Sequence, residues 1–283
     1  MEGARIRRLA EQDVDRAIVL TDLEEWGYTR ADFLRLLALS PDGCFAAEAD
    51  GSLAGLLSTT EYGPIAFLGA VIVSPELRGK GLGDAMMRAA LDYLDGRGVE
   101  TVVLNAYMNV VPFYERLGFR GEYENVRWSG KPAAPHSIGA SLLDAERIDQ
   151  IVSFDARYFG VPRTALLSRL AREFPETFLV AERADLIVGY LVGNTSGPSC
   201  EIGPWVVDPS WAEVASDLFD GLMRASSART YAFTAPSPNH RASELSRQVG
   251  FAEVFRTLRM VRGKPVSASR PEGIYGLAGL EKG

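Results

Sequence analysis

The chain has 283 residues, of which 47% are hydrophobic, 24% charged and 10% aromatic, and its 37 acids exceed its 30 bases for a net charge of -7. That composition excludes a disordered, collagen-like or disulfide-scaffold protein, and at roughly 150 residues per domain the length predicts two domains. The acidic excess argues against a general nucleic-acid or anionic-membrane binder.

In chain order, Ile6 to Leu9 reads as a short strand. Glu11 to Leu23 carries a helical stripe at Val14, Ala17, Ile18 and Leu23, and Thr29 stands where it can cap a second helix over Ala31 to Leu39. Phe45 to Glu48 and Leu53 to Thr59 are strands joined by the turn Asp50-Gly51. Ala66 to Val73 is a third strand, followed by a helix over Leu82 to Leu94 with Met87, Leu91 and Leu94 on one face. A strand at Thr101 to Ala106, a short helix at Val111 to Arg116 and a strand at Glu122 to Trp128 complete the series. This is a mixed α/β pattern around a central sheet.

The series then repeats. Phe45-Ala-Ala-Glu-Ala-Asp-Gly-Ser-Leu-Ala-Gly55 resembles Leu179-Val-Ala-Glu-Arg-Ala-Asp-Leu-Ile-Val-Gly189 at an offset of 134. Gly69, Val71, Val73 and Pro75 match Gly203, Trp205, Val207 and Pro209 at the same offset. Gly118-Phe119 matches Gly250-Phe251, and Gly130-Lys-Pro132 matches Gly263-Lys-Pro265. Four landmarks in one order indicate a tandem duplication. The turn-rich Gly130-Lys-Pro-Ala-Ala-Pro135 marks the joint, so the predicted domains are 1–130 and 140–283, with 131–139 as linker.

The longest apolar stretch, Ile65 to Val73, is too short for a bilayer span, which needs about 20 residues. The N-terminal MEGARIRRLAEQD has no apolar core behind its basic residues, so no secretory leader is expected. Cys44 and Cys200 fall in separate halves and predict two reduced thiols in a cytoplasmic protein. The two histidines, His136 and His240, have no partners at ligand or triad spacing, so neither a metal site nor a Ser-His-Asp triad is expected.

The strongest local signal is Val71-Ile-Val-Ser-Pro-Glu-Leu-Arg-Gly-Lys-Gly-Leu-Gly83, a β-branched strand running into a glycine-rich turn that opens a helix. Glycines there let the backbone approach a ligand and present consecutive N–H groups, and the helix aims its positive end at the same spot. Such a turn suits a pyrophosphate. No Gly-Lys-Ser/Thr and no strand-ending acid follow at the spacings of a Walker loop or a dinucleotide fingerprint.

Arg78-Gly-Lys-Gly-Leu-Gly83, followed by Pro112-Phe-Tyr-Glu-Arg-Leu-Gly-Phe119, resembles the GNAT superfamily of acyl-CoA-dependent N-acetyltransferases. Arg78, Gly81 and Gly83 take the places of its Arg/Gln-x-x-Gly-x-Gly/Ala segment, and Tyr114 to Phe119 spans its Tyr-x-x-x-Gly-Phe segment, while Asn105-Ala-Tyr107 is similar to an Asp/Asn-Ala-Thr stretch of one branch. The resemblance covers residues 5 to 130 well; the second half, ending in Ile274-Tyr-Gly-Leu-Ala-Gly-Leu-Glu281, is similar to a degenerate GNAT-like domain that follows an active one in some bacterial acetyltransferases. It implies two tandem GNAT-like domains, each with a central mixed, mostly antiparallel sheet flanked by helices.

The resemblance further implies acetyl-CoA as cosubstrate, no metal, and transfer to a primary amine of a small molecule by direct attack in a ternary complex. The pantetheine arm would run along Val71, Ile72 and Val73, with a backbone N–H near Val71 or Ile72 polarising the thioester. Arg78, Gly79, Lys80, Gly81, Leu82, Gly83 and Asp84 would hold the pyrophosphate. Tyr114 would protonate the thiolate and Asn105 would hydrogen-bond cofactor or acceptor; Asp22, Glu24, Glu25 and Glu61 are the candidate bases near the acceptor entrance, with Glu25 taken as the catalytic one. Asp22, Trp26, Tyr28, Glu61 and Tyr62 are candidate acceptor contacts. A protein or peptide acceptor and a non-catalytic acyl-CoA sensor are the competing readings, and the chain is expected as a monomer or homodimer.

At the repeat offset, Arg78, Gly79, Gly81 and Gly83 fall on Ala212, Glu213, Ala215 and Asp217, and Tyr114 falls on Ser246. Carboxylates there repel a pyrophosphate. The second domain is therefore expected not to use acetyl-CoA, but to shape the acceptor pocket, with Trp205, Trp211, Arg157 and Tyr158 as candidate contributors.

Overall fold

The computed structural model describes residues 5–132, 140–265 and 269–283. Of the expected linker only Lys131 and Pro132 fall within these; 133–139, with His136, lie outside the described residues. The first repeat runs β1 (Arg5–Arg8), α1 (Val14–Asp22), α2 (Arg30–Leu39), β2 (Phe45–Ala49), β3 (Ser52–Tyr62), β4 (Ile65–Val73), α3 (Leu82–Gly96), β5 (Thr101–Tyr107), α4 (Val111–Glu115) and β6 (Arg120–Gly130). The second runs β7 (Ser141–Leu142), α5 (Ile148–Phe159), α6 (Thr164–Glu173), β8 (Phe178–Arg183), β9 (Leu186–Asn194), β10 (Cys200–Val207), α7 (Val214–Ala225), β11 (Tyr231–Pro236), α8 (His240–Gln248), β12 (Ala252–Gly263) and β13 (Ile274–Gly276).

Local chemistry explains the boundaries. Thr29 and Asp32 form a reciprocal capping box at the start of α2, each side chain accepting from the other's backbone N–H. Asp50 and Gly51 both adopt positive φ, 50° and 72°, as a tight hairpin between β2 and β3 requires. α1 starts at the first residue of its apolar stripe, Val14, and not at Glu11 as expected, because Glu11–Asp13 form a 3-10 turn, with Arg7 gripping the Asp13 carboxylate at 2.7 and 2.8 Å.

Contacts group the residues into two units that do not follow repeat order. One comprises Met1–Leu104, Arg262–Lys264 and Lys282; the other comprises Asn105–Val261, Pro265–Glu281 and Gly283. In the first unit the strand order is β1-β2-β3-β4-β5, antiparallel except for the parallel pair β4–β5. α1 and α2 bury Val14, Ala17, Leu20, Phe33 and Leu36 with Ala46, Leu56, Ala70 and Ile72 of the sheet. α3 buries Leu82, Met86, Met87, Ala90, Leu91 and Leu94. Gly55, whose neighbour Leu56 faces α1 and α2, leaves room for Met86; a Cβ there would lie 3.0 Å from the Met86 methyl.

In the second unit the order is β12-β6-β11-β10-β9-β8-β7, with β13 also on β10. Only β10–β11 is parallel. Its core centres on Trp205, which meets Phe219, Phe233 and Tyr275 at ring separations of 6.1, 5.4 and 5.2 Å. Trp205 is therefore a core residue, 1% exposed, and not the pocket wall its aromatic character suggested. Tyr158 is buried too, and Arg157 lies over the Phe154 ring at 4.6 Å. Of the four, Trp211 and Arg157 are exposed.

β6 belongs to the first repeat in sequence but pairs on both edges with strands of the second, Gly130 to Asn125 opposite Tyr231 to Pro236 of β11 and Ser129 to Arg120 opposite Ala252 to Val261 of β12. Conversely, the end of β12 counts with the first unit, where Thr101 Oγ1 donates to Lys264 O at 2.8 Å and Lys264 N to Glu100 O at 3.2 Å. The last strands of the two repeats are thus exchanged. A fragment of residues 1–132 lacks both partners of β6 and bares the buried Val126 and Trp128, each 3% exposed in the full chain. It is expected to be insoluble, or unfolded by far-UV circular dichroism under conditions where the full chain gives a folded spectrum.

Candidate active site

Along β4 the register with β3 passes from Ser58↔Gly69 to Leu56↔Ile72, so Ala70 and Val71 together oppose Leu57. This is a β-bulge, and Ala70 takes φ 50° to make it. The parallel ladder with β5 has its last rung at Phe67↔Val103, six residues before β4 ends at Val73. From Leu68 on, β4 has left β5, and an edge of backbone amides around Val71–Val73 is open to a strand-like ligand.

Beyond β4 a 3-10 turn at Pro75–Leu77 leads to Gly79 (φ 73°) and Gly81 (φ 83°), and Gly81 starts α3 without a side-chain cap. A Cβ on either glycine would meet nothing within 4 Å, so the loop backbone faces open space. Arg78, Gly79, Lys80 and Gly81 are exposed, Gly83 and Asp84 half-buried, and Leu82 buried as the anchor of the helix. Uncapped first-turn amides on a fifteen-residue helix, behind positive-φ glycines, fit the pyrophosphate of an acyl-CoA. Asp84 offers its backbone N–H there; its carboxylate would repel a phosphate.

Arg78 ties this loop to the chain after α1. Its Nε donates to Val73 O at 2.9 Å and its Nη2 to Glu24 Oε1 at 2.5 Å. Both partners are about half exposed, so the pair positions more than it stabilises. It brings the turn carrying Asp22, Glu24 and Glu25 to the glycine loop. Glu25 and Gly27 adopt φ 56° and 69°, Asp22 and Glu25 are exposed, and Trp26 and Tyr28 stack edge-on at 6.2 Å, with Tyr28 5.2 Å from Phe33.

Glu61 and Tyr62 need correction as acceptor contacts. β3 runs to Tyr62, and the register sets Glu61 and Tyr62 opposite Ala66 and Ile65, at the end of β4 away from the glycine loop. Glu61 accepts from Tyr93 Oη at 2.7 Å and Arg97 Nε at 2.5 Å, and buried Tyr62 donates to Lys282 O at 2.8 Å. Both side chains serve the fold. Asn105 is also committed: its Nδ2 donates to Leu280 O and its Oδ1 accepts from Asn125 Nδ2, both at 2.7 Å. It is a positioning residue and not a group free for cofactor or acceptor. Tyr114 is 8% exposed between Phe113 and Phe119, at ring distances of 5.0 and 6.1 Å, and burial pushes its phenol above the ordinary tyrosine value.

The second repeat opens the same way but fills the opening with its own chain. β10 and β11 share only the rungs Cys200↔Tyr231 and Glu201↔Ala232. β13 then pairs with β10 at Trp205↔Gly276 and Val206↔Ile274, and Leu277 N donates to Thr234 O of β11 at 2.9 Å. A Cβ on Gly203, the counterpart of Gly69, would lie 1.8 Å from Leu277 O. Sequence comparison found the lost glycines but not this plug, although Ile274-Tyr-Gly276 has no counterpart after β6 and so marks added chain.

Among the described residues no cluster of metal-ligating side chains occurs, and no helix is long and apolar enough to cross a membrane. Cys44 and Cys200 are free and buried, and burial raises both thiols to about 12, which makes them poor nucleophiles.

Residues 13–119 match the family model of the GNAT acetyltransferase family, and residues 151–276 match a second GNAT-domain model. The chain belongs to the GNAT acetyltransferase family. It is an acyltransferase of two GNAT domains in tandem. It is 26% identical over 266 residues to the holothin acyltransferase of Pseudoalteromonas sp., covering 92% of this chain and 88% of that one. A shorter match, 40% over 89 residues, covers 28% of this chain and 30% of the mycothiol acetyltransferase of Thermobispora bispora. Among solved structures, a Pyrococcus horikoshii protein assigned as an acetyltransferase superposes with a TM-score of 0.86 at 23% identity, covering 100% of this chain and 97% of that one. A tandem GNAT protein of the clavulanic acid biosynthesis pathway superposes at 0.63 and 16%, covering 93% and 99%. These likenesses show the fold and its tandem arrangement.

Two outcomes follow from the asymmetry of the repeats. Calorimetry is expected to find one acyl-CoA per chain, and Gly81→Val, which strains φ 83° and fills the open face, to weaken that binding more than tenfold. Gly203→Ala is expected to lower stability by about 1–3 kcal/mol or more through overpacking against the tail, read as a fall in Tm.

Proposed function

We propose that this GNAT enzyme transfers an acetyl group from acetyl-CoA to a primary amine of a small molecule by direct attack in a ternary complex. The observation that carries the reading is the bulged, parted end of β4 leading into the open glycine loop, present in one repeat and plugged in the other. When bound, the cosubstrate supplies an activated thioester. The amides of Gly79 to Asp84 and the guanidinium of Arg78 hold its pyrophosphate. Arg78 must then share its charge between phosphate and Glu24. The amide edge at Val71–Val73 orients the acyl arm and supplies an N–H to the carbonyl oxygen as negative charge develops there.

In the transfer, the amine nitrogen forms the new C–N bond as the C–S bond breaks. Glu25 removes the proton that the amine loses. Glu24 is the poorer candidate because Arg78 already binds it. Tyr114 gives its phenolic proton to the departing sulfur. Its raised pKa keeps it in the donating form, and its buried, aromatic surroundings disfavour a lingering thiolate.

The test is release of free CoA thiol from acetyl-CoA with an amine panel of polyamines, aminoglycosides, amino sugars, amino acids and peptides. Release that depends on one small-molecule class supports the reading; release with peptides alone, or with none, counts against it. Tyr114→Phe is expected to lower kcat about 100-fold, the lower range for loss of a positioned acid, with KM for acetyl-CoA unchanged. The pH profile carries a sign. A phenol raised above its usual pKa of about 10 keeps its proton at higher pH, so kcat should hold its plateau through pH 10 and fall only beyond it.

A further inference from the structure

Arg78 holds two protein partners at once, and only one of them is an anion. Its Nε donates to Val73 O at 2.9 Å, which pins the root of the guanidinium to the end of β4. Its Nη2 donates to Glu24 Oε1 at 2.5 Å. Nε and Nη2 form one of the two edges through which a guanidinium grips an oxyanion with a pair of parallel bonds, so that edge is closed. The other edge pairs Nη1 with the same Nη2. A phosphate bound there in two-pronged fashion takes Nη2 from Glu24. The trade is one-sided. The Arg78 and Glu24 side chains are 48% and 39% exposed, and an ion pair so open to water contributes little to stability. A pyrophosphate brings two negative charges against one, and the uncapped first turn of α3 adds amides that favour it. Once it is seated, the Glu24 carboxylate faces a like charge and is driven off. Glu24 is thus an internal occupant of the cofactor loop.

What responds is the turn between α1 and α2. Glu24 N donates to Thr21 O at 3.1 Å, and Trp26 N reaches the same oxygen at 3.4 Å, a longer bond than most. The far end of the turn is fixed by the capping box at Thr29. Between them Glu25 sits in the left-handed region at φ 56°, a conformation strained for a residue with a side chain and kept only where neighbours enforce it. Glu24 directly precedes it. Trp26 directly follows, partly buried with Tyr28 against the core of the first unit. The Glu24–Arg78 bond is one of the constraints on this turn, and its loss repositions the Glu25 carboxylate and the Trp26 ring together.

We propose that Glu24 is a positioning residue that competes with acyl-CoA for Arg78, and that its displacement by the pyrophosphate resets the turn carrying Glu25 and Trp26. The proposal rests on the transferase reading above, in which the glycine loop holds the pyrophosphate and Glu25 is the base. Every residue it uses lies in the first unit. The base is then set for the amine only when the thioester is present, and the empty loop is kept occupied by a carboxylate of the chain itself.

The test uses the full chain with CoA as the probe. Affinity is read by calorimetry and the turn by the fluorescence of Trp26, assigned by its loss in Trp26→Phe. CoA is expected to shift that fluorescence in the unmodified protein. Glu24→Gln and Arg78→Gln each break the ion pair, and both are expected to show the shifted fluorescence without CoA. They separate on affinity. Glu24→Gln is expected to bind CoA about three- to fivefold more tightly than the unmodified protein, the scale of an exposed ion pair, and Arg78→Gln to bind it more weakly. A pair that merely held the loop together would move both affinities the same way. Weaker or unchanged CoA binding in Glu24→Gln, or a Trp26 signal that does not respond to CoA, overturns the proposal. Neither readout needs an amine. If the affinities and fluorescence behave as expected but no amine is acetylated, the competition stands and the transferase reading falls. If an amine is acetylated and Glu24→Gln binds CoA no more tightly, the reverse holds. No CoA binding by the unmodified protein removes both.

Discussion

Where two parallel strands part, their facing N–H and C=O groups lose each other and need new partners. Water can serve at a surface, but buried backbone left unpaired is costly, and both repeats face this requirement at the same place. β4 leaves β5 after Phe67↔Val103, and β10 leaves β11 after Glu201↔Ala232. The repeats differ in what answers it. The first unit leaves the edge to a strand-like ligand and places glycines beyond it. The second closes the gap with β13 and seats the tail so tightly that Gly203 has no room for a methyl group. One family fold therefore yields a ligand cleft and a closed core, according to whether the chain itself supplies the missing strand.

The tail that supplies β13 is held from several sides. In the second unit Arg163 binds both carboxylate oxygens of Asp155 at 2.9 and 2.7 Å and donates to Gly283 O at 2.6 Å, while Tyr190 donates to Asp155 at 2.6 Å. All three side chains are at most 2% exposed. A buried ion pair is costly to desolvate and contributes more to a single geometry than to net stability. Here the geometry it selects is the seat of the tail, which also provides the Leu280 carbonyl that orients Asn105.

Much of this was legible from the amino-acid order. Helix and strand boundaries follow from local patterns such as the Thr29 cap and the Asp50-Gly51 turn. The cofactor loop follows from Arg78 and its glycines, and loss of the loop in the second repeat from Glu213 and Asp217 at the repeat offset. What escaped depends on pairing between distant segments. Glu61 reads as a candidate acceptor contact until the register shows which end of β4 it faces. Asn105 reads as an available amide until Asn125 and Leu280, 20 and 175 residues away, are seen to occupy it. Alternation gives the faces of β6 and β12 but not their neighbours, so the exchange has no local signature.

The exchange of last strands also sets a schedule for folding during synthesis. β6 emerges when residue 130 is complete, but its partners end at Pro236 and Val261, more than a hundred residues later. At about 5–20 residues per second, the nascent first repeat spends on the order of ten seconds with an unpaired hydrophobic strand. During that time Trp128 and Val126 are surfaces for holdase chaperones or for a neighbouring nascent chain on the same message. The tandem arrangement limits that exposure by supplying the missing strands from the same polypeptide, so closure is intramolecular and independent of protein concentration.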